Sequence, residues 1–202
     1  MQINKSQVWC TRRVLLLGAG TLALTLASSP LPAPADEPAP DPHVHFALLT
    51  QEGHPLSDTD LLGQHVLLFF GYTSCPDVCP TSLQTLSAVM DTLGQQAGNV
   101  QPVFVTVDPE RDTPPVLAAY LSNFHPRLIG LTGPREMIDH LADGYHVKHE
   151  RVPVPGRPDE YSIDHTAAIF HVGPDGAYIE RLSPSLSAEQ IAAALRVQLT
   201  SE

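Results

Sequence analysis

Residues 65–80 decide the reading of this chain: His65-Val66-Leu67-Leu68-Phe69-Phe70-Gly71-Tyr72-Thr73-Ser74-Cys75-Pro76-Asp77-Val78-Cys79-Pro80. Val66 to Phe70 is an unbroken apolar run, the pattern of a strand buried on both faces of a parallel sheet. Gly71 and a short polar turn end it. Pro80 then suits an early helical position, where a missing N–H costs nothing. Behind it, Leu83, Leu86, Met90 and Leu93 recur at helical spacing. Two thiols are therefore expected at the carboxyl end of a central strand, beside a helix N-terminus.

Residues four apart on a helical turn share a face, with β-carbons about 5–6 Å apart. Thiols at that spacing can close a disulfide after modest adjustment, or both can ligate one metal ion. The free amides and dipole of a helix N-terminus favour thiolate, which is both the metal ligand and the redox nucleophile. A static disulfide or two core cysteines is the plain alternative. A loop this small adds little stability through chain entropy, which argues against a staple.

The chain has 202 residues, enough for one ordinary domain plus extras. Lys5, Arg12 and Arg13 are the only charges before Asp36, so the remainder carries 8 basic and 22 acidic residues, a net charge of −14. Such a surface is repelled by phosphate backbones, which excludes nucleic acid as a natural partner. There are 3 cysteines, and with Cys10 near the start the folded part holds only the Cys75/Cys79 pair. That is one dithiol, not a disulfide framework.

Residues 1–35 have the form of an export leader. Lys5, Arg12 and Arg13 make a positive start, Val14 to Ala27 is apolar, and Ala33-Pro34-Ala35 resembles a small-x-small cleavage site. The apolar run is shorter than the ~20 residues of a spanning helix. A cleaved signal is the first expectation and an anchor through residues 14–27 the second. Either places the domain in an oxidising compartment, on the periplasmic side of the inner membrane. Residues 36–42 continue a Pro/Ala/Asp-rich stretch that reads as a semi-extended tether. Residues 43–202 form the domain.

Within it, His43 to Thr50 reads as a first strand, with His43 and His45 on one side of it, and Ser57 to Leu62 as a short helix or turn. After the cysteine helix comes a buried strand, Pro102 to Val107. A helix opens at Pro114 with Thr113 as N-cap. Leu128–Leu131 reads as a strand, Gly133–Ala142 as a helix and Tyr145–Glu150 as an edge strand. Arg151–Glu160 reads as an irregular proline-rich loop. The strand Ala167–Val172 turns through Gly173-Pro174-Asp175-Gly176 into Ala177–Leu182. A last helix, Ser187–Leu199, starts with a capping box between Ser187 and Gln190. This order describes an α/β thioredoxin-like sandwich, a central mixed β-sheet flanked by helices.

Four blocks of this sequence resemble the Sco/SenC family: Phe70 to Pro80 with its two cysteines, Val107-Asp108-Pro109-Glu110-Arg111-Asp112-Thr113, Leu128 to Gly133, and Asp164-His165-Thr166 with Gly173 to Gly176 behind it. They lie in order over roughly residues 45 to 200. The resemblance implies an exported or membrane-associated copper chaperone that helps build the binuclear copper centre of cytochrome c oxidase. It implies Cys75, Cys79 and His165 as copper ligands. Two thiolates select Cu(I), and an added imidazole suits Cu(II) as well. The implied partners are the copper-site subunit of the oxidase, other copper chaperones and a thiol reductant protein.

Two other functions use the same residues. In a thiol–disulfide oxidoreductase acting on the cysteines of that copper site, Cys75 attacks and Cys79 resolves. The three-residue gap departs from the usual two, which favours copper. A peroxidase of the peroxiredoxin kind needs a threonine and an arginine around one cysteine. Thr73 is present, but no arginine is near it in sequence. The remaining histidines, His54, His65, His125, His140, His146, His149 and His171, read as surface or loop residues. Among them His146 and His149 are the candidates for transient metal capture. Asp108 is expected in a structural role near the site, and Asp77 in bonding the helix amides.

Overall fold

The computed structural model describes residues 41 and 43–200. In chain order its elements are β1 (Ala47–Thr50), β2 (Pro55–Ser57), a 3-10 turn (Asp58–Leu61), β3 (His65–Gly71), α1 (Val78–Leu93), a second 3-10 turn (Gly94–Asn99), β4 (Val100–Thr106), α2 (Pro114–Leu121), β5 (Ile129–Thr132), α3 (Arg135–Gly144), β6 (His149–Val154), β7 (Arg157–His165), β8 (Ile169–Val172), β9 (Tyr178–Leu182) and α4 (Ala188–Leu199). The leader and tether expected over residues 1–42 lie outside the described residues, Asp41 excepted. Among the described residues no helix is long and apolar enough to cross a membrane.

Seven strands make one mixed sheet in the order β2-β1-β5-β4-β3-β8-β9. The central strands β3, β4 and β5 run parallel, and β8 joins β3 antiparallel. Every residue of β3 and β4 is buried, the polar His65, Gln101 and Thr106 included, because both faces of these central strands are covered. Side chains alternate between faces along a strand. Phe69, Phe104 and Gly130 are register partners on one face. Phe104 there meets Tyr120 from α2. On the other face Phe70 and Phe170 pack edge-on, together with Tyr145 at the end of α3. This is the thioredoxin-like α/β sandwich expected from the element order.

Several boundaries differ from the sequence reading. The first strand is shorter than His43–Thr50 because the Asp58 carboxylate and backbone bond the main chain of Phe46 just before it. His45 pairs with that same carboxylate at 2.7 Å. The edge strand expected at Tyr145–Glu150 starts at His149, after α3 has run on to Gly144 and His146 has taken a left-handed backbone, φ 53°. The supposed loop at Arg151–Glu160 belongs to a two-stranded ribbon, β6–β7, separate from the main sheet. Val154 faces Arg157 across Pro155 and Gly156, and Gly156 supplies the positive φ (78°) that the two-residue turn needs. Proline is tolerated because each strand of a lone ribbon has an edge without ladder bonds. The Ser187/Gln190 capping box forms as expected, at 3.3 and 2.9 Å.

Candidate metal centre

Gly71 ends β3 where the first helix packs down on it. A β-carbon there would lie 2.7 Å from Cys79 Sγ and 2.8 Å from the Phe104 ring. Glycine thus leaves the space that the Cys79 sulfur fills. Cys79 is the second residue of α1 and has no solvent exposure. Cys75 lies before the helix, in a turn closed by its N–H to the Tyr72 carbonyl at 3.2 Å. The two thiols therefore do not share one helical turn, as their spacing suggested.

They meet by another route. The Cys79 backbone N–H, a first-turn amide without an intrahelical acceptor, donates to Cys75 Sγ at 3.5 Å. Cys75 takes the capping role, and Pro80 next to Cys79 has no N–H to satisfy. Asp77 stands at the N-cap position, but its exposed side chain makes no capping bond. The expectation that it bonds the helix amides is corrected: its φ of −141° and ψ of −69° differ from the extended backbone usual at an N-cap.

The turn is fixed from behind by Asp112. Its carboxylate accepts the Thr73 N–H at 2.9 Å, the Thr73 hydroxyl at 2.6 Å and the Thr106 hydroxyl at 2.6 Å. Burial raises the pKa of this carboxyl, and those hydrogen bonds oppose the rise. The bond from Thr73 also bears on the peroxidase reading, since the hydroxyl that would meet a peroxide is already committed to Asp112.

The third group arrives from the far end of the chain. His165 closes β7, and its Nε2 lies 3.4 Å from Cys79 Sγ. Its Nδ1–H donates to the Thr166 carbonyl at 3.3 Å, which leaves Nε2 as the lone-pair nitrogen. The ring stands edge-on to Phe69 and Tyr72. Burial lowers the His165 pKa, so the imidazole is neutral and able to ligate at neutral pH. One donor atom each from Cys75, Cys79 and His165 lies within 4.8 Å of the others, and both cysteines are free thiols. Two sulfurs and one nitrogen, with no carboxylate among them, form a soft set suited to copper rather than to calcium or magnesium.

The helix end does not dominate both thiols. Burial pushes the Cys79 thiol strongly up, the Cys75 charge adds to the rise, and a backbone hydrogen bond at Tyr72 only partly opposes it. The expectation that both sulfurs are favoured as thiolates therefore fails for Cys79 in the metal-free protein.

Other sequence candidates fall elsewhere. His54, His140 and His146 are exposed, and His125 is half-buried. His149 is the register partner of His165, but its Nε2 faces Asp139 at 3.5 Å. His65 and His171 are not surface residues. They are buried on adjacent strands with Nδ1 of His65 2.9 Å from Nε2 of His171, and His171 Nδ1 3.4 Å from Glu180. Asp108 has the structural role expected of it: fully buried, it pairs with Arg111 and accepts the Tyr161 hydroxyl at 2.8 Å. Sequence reasoning did not single out Asp112, Arg111 or Tyr161 individually.

Fold and site together define a thioredoxin-like domain with a dithiol and a histidine converging on one point. A family profile described as SCO1/SenC matches residues 35–200, and the chain belongs to that family. It is 42% identical over 153 residues to the mitochondrial SCO2 homologue of Mus musculus, a match covering 75% of this chain and 60% of that protein. It is 39% identical over 146 residues to an SCO2-like protein of Rickettsia prowazekii, covering 72% and 71%. The matched region spans about 60% of the length of the mitochondrial relatives. Among solved structures, Bradyrhizobium japonicum ScoI with copper bound superposes with a TM-score of 0.71 at 40% identity, covering 76% of this chain and 96% of the other. Yeast Sco1 with copper bound gives 0.73 at 31% identity, covering 81% and 91%.

Proposed function

We propose that this protein is a copper chaperone that holds copper on Cys75, Cys79 and His165 and delivers it to the binuclear copper centre of cytochrome c oxidase. The convergence of two free sulfurs and one imidazole nitrogen within 4.8 Å carries this reading. Copper is cargo here. It would move by ligand exchange, with the half-buried Cys75 the ligand a partner thiolate or imidazole reaches first. Copper-bound relatives support the choice of metal.

The surrounding roles belong to the same proposal. Residues 1–35 serve as a signal or anchor, with residues 14–27 as the membrane-associating part, and 36–42 as a tether. The domain then works on the periplasmic side of the inner membrane. Its partners are the copper-site subunit, copper chaperones that load it, and a reductant that keeps the dithiol open in an oxidising compartment.

One observation favours a second reading. Cys75 is half-exposed, while Cys79 is buried behind it with its amide on the Cys75 sulfur. Attacking and resolving thiols of a thiol–disulfide oxidoreductase show this asymmetry. A Cu(I) competition titration of the reduced protein separates the two. The chaperone reading expects one tight Cu(I) per chain, weakened in His165→Ala by about tenfold, or ~1.4 kcal/mol. No tight copper together with fast dithiol exchange would leave the oxidoreductase.

A further inference from the structure

The ribbon that carries His165 is not bonded into the main sheet. The polar contacts of the His165 ring are local or lie at the site: the Thr166 carbonyl and the Cys79 sulfur. What orients β7 lies further along it, where the Tyr72 side chain meets the Ile163 backbone and the side chains of β7 itself reach the body of the domain. Residues two apart on a strand share a face, so Tyr161, Ile163 and His165 point the same way. Ile163 is buried, and Tyr161 is half-buried against the core.

Tyr161 is gripped from several directions. The Arg111 guanidinium lies 3.8 Å from its ring centroid, and that of Arg151 lies 4.6 Å away. Its hydroxyl donates to Asp108 at 2.8 Å, and its carbonyl accepts from Arg111 Nη1 at 3.0 Å. Arg111 pairs with Asp108, and Arg151 reaches Glu110 at 2.6 Å. Glu110 is tied in turn to Arg135, whose Nη1 donates to the Val107 carbonyl at 2.9 Å. Arg111, Asp108 and Glu110 all stand in the loop after β4. That loop also carries Asp112, which holds the Thr73 turn and with it Cys75. A single loop thus grips the cysteine half of the site through Asp112 and the histidine half through Tyr161.

We propose that Tyr161 is a positioning residue, clamped by Arg111, Arg151 and Asp108 so that β7 keeps His165 against the Cys79 sulfur, and that this clamp sets how readily copper leaves. The proposal rests on the copper reading above. Cation–π stacking on a partly desolvated ring adds to what holds a ribbon that lacks ladder bonds to the sheet. Loosening it leaves both sulfurs in place but frees the imidazole, which turns a three-ligand site into a two-ligand one.

The test compares wild type with Tyr161→Leu, Tyr161→Phe and Arg111→Lys. In metal-free protein labelled at histidine, the His165 ring signals are expected to broaden by exchange in Tyr161→Leu and in Arg111→Lys. Tyr161→Phe keeps the stacked ring but loses the bond to Asp108, so its signals are expected to fall between wild type and Tyr161→Leu. In copper-loaded protein, release to a Cu(I) chelator quickens about tenfold in Tyr161→Leu, the lower end of what losing a ligand-orienting contact costs. The imidazole nitrogen coupling in the Cu(II) resonance spectrum weakens in parallel. Unchanged ring signals and release in Tyr161→Leu, with faster release in His165→Ala, would overturn the clamp. If Tyr161→Leu does not fold, Arg111→Lys decides, since it keeps the charge on Asp108 and loses the planar stack. A wild-type chain that takes up no copper sinks the chaperone reading alone, and the ring signals of the metal-free protein then decide the clamp.

Discussion

Cys79 Sγ and His165 Nε2 stand 3.4 Å apart although 86 residues separate them in the chain. The two arrive by different means. Cys79 is set by the packing of α1 on β3, where a glycine clears its volume. His165 is set by a ribbon outside the sheet, held through Tyr161. One half of the site is thus core and the other half is an attached arm.

The core half makes Gly71 irreplaceable. In Gly71→Ala the new methyl meets Cys79 Sγ at 2.7 Å and the Phe104 ring at 2.8 Å, and both are fully buried. Neither can withdraw into solvent, so the helix or the ring must shift. Overpacking of this kind costs about 1–3 kcal/mol. Urea unfolding is expected to show that loss, together with weaker Cu(I) binding from the displaced sulfur. Wild-type stability in the variant would mean that the sulfur has room to move.

Asp112 gives a contrast between geometry and charge. It accepts three hydrogen bonds inside the protein, two of them from Thr73. Asp112→Ala strands the Thr73 N–H and both hydroxyls, at a cost of about 1–3 kcal/mol for donors left unmade. The Cys75 turn loosens with it, and alkylation of Cys75 should quicken. Asp112→Asn keeps an acceptor and sheds a buried charge whose ionisation burial already disfavours, so it should lose less. If asparagine proves as harmful as alanine, the charge and not the acceptor holds the turn.

The strand Val66–Phe70, the helix behind the cysteines and the capping box at Ser187 were legible because each rests on local pattern: apolar runs, period and caps. The dithiol was legible from its spacing at the end of an apolar run, whereas His165 was legible as a ligand only as a residue in a family block. What escaped notice depends on contacts between distant segments. His65 and His171 look polar in sequence, yet each buries its ring against the other across the register of β3 and β8. The ribbon around Pro153 and Pro155 carries proline where a central strand forbids it, so it read as loop. Its ladder needs only one partnered edge. Tyr161 has no periodic signature at all. Its importance comes from two arginines that meet it across 50 and 10 positions of the chain.

The His65–His171 pair predicts how the fold responds to acid. A separation of 2.9 Å between Nδ1 of one ring and Nε2 of the other holds one proton, so the two rings cannot both be cations without breaking the bond. Burial lowers the His171 pKa, the proximity of His65 lowers it further, and Glu180 opposes both. A folded pKa below the unfolded value of about 6.5 means that the unfolded chain binds more protons. Stability from this group is complete above the unfolded value and declines as pH falls below it, by at most ~1.4 kcal/mol per pH unit for one proton. His165, lowered for the same reason, acts in the same direction. Urea unfolding at several pH values from neutral downward should show that decline in the wild type. His171→Gln removes one titrating group and should flatten the slope while His165 keeps its share. If the variant retained the full wild-type slope, the buried pair would not be the source of the acid sensitivity.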